Sequence, residues 1–128
     1  MADVIVDSDL LIWHLRGRPA AVEYVRALSA RGRLGVCAIS RTEVLAGARP
    51  RELPTTEAFL DACETLPVDA RVADRAAAWI RAERRKGLTV AVADALIGAT
   101  AALAGIPLHT CNARHFQFEG LDVRNASV

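Results

Sequence analysis

What most limits the fold of this sequence is a set of short apolar runs, each stopping at a polar residue and each followed by helical spacing. Ala2–Val6 stops at Asp7, Leu34–Ile39 at Ser40, and Leu108–Cys111 at Asn112. Leu66–Val68 and Leu121–Arg124 are weaker runs of the same kind. Such runs lack the alternation of a one-sided sheet and suit strands buried on both faces. Between them, apolar residues recur at helical intervals: Leu10, Leu11 and Leu15; Val22, Val25 and Leu28; then Val72, Ala76, Trp79 and Ile80. Helices are expected after Asp7, over 20–30, from Ser40 to Ala48, from Thr55 or Thr56 to about Thr65, over 69–86 with Gly87 behind it, and over 93–104. Strands alternating with helices predict βαβ units, an α/β fold on a central parallel sheet of four to five short strands.

With 128 residues, the chain has the size of a single domain, taken as 1–128. Neither repeats nor a linker divide it, and only the last few residues read as a loose tail. Leu88–Leu108 is nearly apolar and about as long as a membrane span, but it holds Asp94, Gly98, Gly105 and Pro107. It reads as a strand-like lead and a buried helix, and no signal peptide pattern is visible at the start. Three cysteines, Cys37, Cys63 and Cys111, are too few and too odd for a disulfide framework and fit a reducing cytoplasmic setting. His109, Cys111 and His115 form a weak zinc pattern that ordinary strand-end and loop roles explain better. Sixteen basic against fifteen acidic residues exclude a bulk-charge nucleic-acid binder, so any phosphate contact must be local.

Ligands in open α/β sheets gather at the C-terminal ends of the strands. Asp7 follows the first strand, Glu43 falls in the first turn of the helix after the second, Asp94 opens the buried helix, and Asn112 follows the fourth strand. Carboxylates brought together repel, and a cation offsets that repulsion. Oxygen-only ligands favour Mg²⁺ or Mn²⁺ over zinc. Each residue also has a plainer reading. Asp7 and Asp94 can be helix N-caps, and Ser40-Arg41-Thr42-Glu43 matches a capping box.

The local sequences carry a resemblance. Val6-Asp7-Ser8-Asp9-Leu10-Leu11-Ile12, Ile39-Ser40-Arg41-Thr42-Glu43-Val44-Leu45-Ala46-Gly47, Asp94-Ala95-Leu96-Ile97-Gly98-Ala99-Thr100-Ala101 and Thr110-Cys111-Asn112 through Phe116 resemble, in order, the four motifs of the PIN-domain family. The likeness spans nearly the whole chain and is nearest to the VapC toxins of type II toxin–antitoxin pairs. It implies a three-layer α/β/α fold, Mg²⁺- or Mn²⁺-dependent endoribonuclease activity leaving a 5′-phosphate and a 3′-hydroxyl, a cognate antitoxin partner and a homodimer. One departure is Asn112, where many members carry an acid; another is His115, where several carry Asp.

On this reading Asp7 and Asp94 ligate metal directly, and Glu43 is a ligand or the base that orients water. Asn112 completes the pocket, while Ser8 and Thr110 bond the carboxylates or a phosphate oxygen. Arg41 and Arg85 are the expected RNA contacts, with a solvated helix end the commoner alternative for the cluster from Arg81 to Lys86. Asp9 can contribute or face solvent. Two other readings compete: a haloacid-dehalogenase-like phosphatase using Asp7 and Asp9, and a PIN scaffold that only binds a partner.

Overall fold

The computed structural model describes all residues, Met1–Val128. Three of the apolar runs form strands where expected: β1 (Val4–Val6), β2 (Leu34–Cys37) and β4 (Leu108–Thr110). β3 occupies Glu64–Leu66, earlier than the expected 66–68, because Pro67 has no N–H to extend the ladder. β5 occupies Val123–Asn125, after the turn at Gly120, whose φ is 83°. The expected loose tail is tied down. Ala126 N donates to Thr110 O across 2.7 Å, and Ala126 is buried.

Six helices join the strands: α1 (Ser8–Leu15), α2 (Pro19–Arg31), α3 (Ala38–Gly47), α4 (Leu53–Ala62), α5 (Ala70–Arg85) and α6 (Val92–Ala104). Asp7 caps α1 by accepting from Ser8 N, and Asp69 caps α5 by accepting from Val72 N across 3.0 Å. The start of α3 departs from expectation. Its N-cap is Cys37, in extended conformation, so Ser40 and Glu43 lie inside the helix and no capping box forms. Thr89–Ala91, expected as a strand-like lead, forms no strand. No helix is long and apolar enough to cross a membrane.

All four strand pairings are parallel, in the order β3-β2-β1-β4-β5. Successive side chains on a strand take opposite faces, and Ile5 and Val6 show the result. Ile5 joins a core with Val72, Ala76 and Trp79 of α5 and Ile97 of α6. Val6 joins a second core with Leu10 and Leu11 of α1, Val25 of α2 and Leu60 of α4. The sheet is thus the middle of three layers. A side chain as fully buried as Ile5 or Leu10 contributes about 1.5–3 kcal/mol. Gly98 of α6 lets three side chains of the first core pack closely on the helix. A Cβ there would stand 3.3 Å from Trp79, Phe118 and Leu121.

The chain runs β1, β2, β3 toward one edge and then returns to place β4 on the other side of β1. That reversal opens a crevice beyond the C-terminal ends of β1 and β4, where an open α/β sheet binds its ligands.

Candidate functional site

Asp7 and Thr110 stand at that crevice, one just past β1 and the other ending β4. Thr110 Oγ1 donates to Asp7 Oδ2 across 2.8 Å, and Ser8 N donates to Asp7 Oδ1 across 2.8 Å. Asp7 is only 5% exposed. Its pKa is pushed up to about 6, chiefly by burial; the two hydrogen bonds pull down, and the charges of Asp9 and Asp94 push up again. Asp7 does cap α1, as the plainer reading held, but capping does not explain a buried carboxylate beside two others.

Asp94 lies in the first turn of α6 and is not its cap; Ala91 holds that position, without a side-chain bond. Burial raises the Asp94 pKa first; His115 opposes the rise, and Glu43 and Asp9 add to it. Glu43 lies in the second turn of α3, not the first. Instead of reaching back to its own helix start, its Oε1 accepts from Ser8 Oγ across 2.6 Å. Asn112 donates its side-chain amide to Asp9 Oδ2, so Asp9 is exposed yet tethered. Asp7, Asp9, Glu43 and Asp94 therefore share one crevice, tied by Ser8, Thr110 and Asn112.

None of these four carboxylates forms an ion pair; the lysine and arginine ion pairs lie elsewhere. As the side chains stand, no three His, Cys, Asp or Glu converge closely enough to hold an ion. Two of the acids are held by neutral partners instead, Glu43 by Ser8 and Asp9 by Asn112. The donor set nonetheless fits a hard divalent cation. It is oxygen-only, excess in negative charge, and anchored on a buried carboxylate that carries a desolvation cost when ionised.

Of the two arginines expected to meet RNA, Arg41 is engaged elsewhere. It binds Asp61 at 2.7 Å and Thr65 at 3.1 Å, pinning α3 to α4 and β3. Arg85 ends α5 in an exposed position and does not line the cleft beside Asp94. The basic residues that do line it are Arg114 and His115, on a short 3-10 turn (Ala113–Phe116) after β4. Sequence reasoning missed their role. The signal was their place directly after Asn112, where a strand end hands the chain into the crevice. The first member of the weak zinc pattern turns away, since His109 Nδ1 lies 2.6 Å from Tyr24 Oη.

A model of the PIN domain family matches residues 4–121. Among curated proteins, the chain is 34% identical over 119 residues to Ribonuclease VapC10 of Mycobacterium tuberculosis, covering 92% of this chain and 90% of that one. It is 36% identical over 116 residues to Ribonuclease VapC19 of the same organism, covering 88% and 90%. Among solved structures, it superposes with a TM-score of 0.82 and 26% identity on DNA-bound VapBC from Salmonella typhimurium, covering 98% of each chain. With VapBC2 from Rickettsia felis, bound to a DNA fragment from their promoter, the TM-score is 0.84 at 16% identity, a likeness of fold.

Proposed function

The chain belongs to the PIN domain family, and from that premise we propose that it is a divalent-metal-dependent endoribonuclease, the toxin of a VapBC-type toxin–antitoxin pair. The observation that carries the reading is the buried Asp7 carboxylate, held by Thr110 and Ser8 among three further carboxylates that form no ion pair. A single domain over 1–128, a cytoplasmic setting, a cognate antitoxin and a homodimer belong to the same proposal; VapBC pairing in the superposed structures supports the antitoxin.

Mg²⁺ or Mn²⁺ held by Asp7, Asp94 and Glu43 would supply Lewis-acid polarisation of a phosphodiester and a lowered pKa for water. The chain's own residues prepare for this. Thr110 and the Ser8 amide fix both oxygens of Asp7, so its orientation is set before any ligand arrives. Ser8 Oγ holds Glu43 toward the crevice, where a carboxylate can accept a proton from attacking water. Asn112 restrains Asp9, offsetting repulsion without adding charge. Arg114 provides positive charge beside Asp94 for the RNA backbone.

Membership of the PIN domain family speaks against the phosphatase reading of Asp7 and Asp9. The test is incubation of total RNA with purified protein and Mg²⁺ or Mn²⁺, alongside EDTA and Asp7→Asn. Discrete fragments absent from both controls are expected. Cleavage that persists in EDTA ends the metal-dependent mechanism, and a folded protein that cuts no RNA under any of these conditions ends the nuclease reading.

A further inference from the structure

A cleft of about 710 Å³ opens beside Asp94, between the connection joining α5 to α6 and the segment that follows β4. Its volume lies in the range of sites that take small organic ligands of nucleotide size. The walls differ in chemistry. Leu88, Val90 and Phe118 present apolar surface, while Arg114 presents positive charge, His115 an imidazole and Glu83 a carboxylate. Leu88 is 54% exposed, an uncovered leucine at the rim of a polar cleft. Phe118 is fixed beneath by stacking on Trp79, with centroids 4.6 Å apart and planes 8° from parallel. Gly98 makes this packing possible, because a Cβ at that position would press on both rings. The cleft is therefore a supported surface continuous with the carboxylate cluster.

We propose that this cleft is a base-recognition pocket that receives one nucleotide of the RNA next to the phosphate to be cut. The inference rests on the ribonuclease reading above and extends it to sequence preference. An acidic crevice repels the RNA backbone, so substrate must be held by positive charge close by; Arg114 occupies that position, with the His115 imidazole beside it. A base entering between them and the apolar wall covers Leu88 and Val90 and lies over Phe118. Glu83 can only accept hydrogen bonds, its Oε1 already 3.3 Å from Lys86 Nζ. A carboxylate that only accepts pairs best with guanine, whose N1–H and amino group are two adjacent donors, whereas adenine, cytosine and uracil each offer one donor group on that edge.

The experiment titrates the four 5′-nucleoside monophosphates into the wild-type protein and into Glu83→Gln, reading backbone amide shifts by NMR. The same two proteins are then used to map cut sites on total RNA. Shifts at Leu88, Thr89 and Gln117 are expected, with GMP binding tighter than the other three nucleotides by roughly fivefold or more. Glu83→Gln should narrow that gap and relax the preference for guanosine beside the cut. Equal shifts for all four nucleotides, or shifts confined to Asp7–Asp9 and Asp94, overturn the proposal. Nucleotides that bind this cleft in a protein that cuts no RNA defeat the ribonuclease reading and leave the pocket standing. RNA cut with an unmoved site profile and no shifts in the cleft does the reverse.

Discussion

Thr110 and His109 are neighbours on β4, both buried, and each joins its polar side chain to a partner from another element. Thr110 bonds Asp7 at the crevice, whereas His109 bonds Tyr24 on the face covered by α2. The pairs differ in charge. Asp7 is ionised at neutral pH despite burial, with a pKa of about 6. His109 has its pKa lowered by burial, then by the nearby Arg124, and stays neutral there. One pair thus keeps a charge that folding disfavours, and the other is a neutral contact of the kind that stabilises a core. A carboxylate retained at that cost is a functional-site signature, because nothing in the packing requires it.

The difference predicts opposite pH behaviour. Asp7 binds a proton more readily folded than unfolded, so its penalty is absent below the ordinary value of 3.8, grows to about pH 6 and is complete above. His109 behaves inversely: its folded pKa lies below the ordinary 6.5, so stability is lost as pH falls from there. Asp7→Asn has the largest expected effect. Cleavage should fall by about a thousandfold, the equivalent of several kcal/mol of lost charge stabilisation. Stability at pH 7 should rise on the order of 2–3 kcal/mol, with the gain fading toward pH 4. Melting curves from pH 4 to 7 for both proteins check this, and parallel curves would show that Asp7 carries no desolvation penalty.

Thr110→Val sharpens the same comparison while keeping the side-chain shape. Asp7 loses the strongest influence holding its pKa down, and about 2 kcal/mol of stability goes with it at neutral pH. Cleavage should weaken, with its pH dependence displaced upward. Denaturant titration and a rate–pH profile read the two effects, and an unmoved profile would mean that Thr110 does not govern the carboxylate. Tyr24→Phe is the matching change in the neutral pair. It should lower stability by about 1 kcal/mol and leave the cleavage rate as it was. A large loss of activity would mean that the two sides of β4 are coupled and that the contrast fails.

Much of the site was legible because strand ends are legible: Asp7 and Asn112 follow apolar runs, and such ends meet at one edge of a parallel sheet. Asp94 and Glu43 came with them through motif order, and their side chains do face one crevice. What could not be read was which cations stand nearby. Arg41 has the right sequence neighbourhood for RNA, but its partners Asp61 and Thr65 come from 20 and 24 residues away. Arg114 and His115 reach the cleft beside Asp94 only because the return of the chain places β4 beside β1. Strand limits slipped for local reasons: Pro67 cut β3 short, and Leu121, read as the start of the fifth strand, packs against the first core instead.

Ser40 gives the smallest effect and the cleanest contrast. It is a third buried hydroxyl near the crevice, but unlike Thr110 it has no partner. Its sequence context, Ser40-x-x-Glu43, promises a capping bond that the structure does not make, because α3 begins two residues earlier and Glu43 serves Ser8. If Ser40 were a cap, Ser40→Ala would cost about 1 kcal/mol. With a buried, unsatisfied hydroxyl inside a helix, the same change should be neutral or stabilise by up to about 1 kcal/mol, since Ala also has the higher helix propensity. Chemical denaturation separates the two outcomes by sign. A gain would mean that the glutamate of this motif is held for the crevice and not for the helix, which is what a Glu43–Ser8 bond across 35 residues of chain requires.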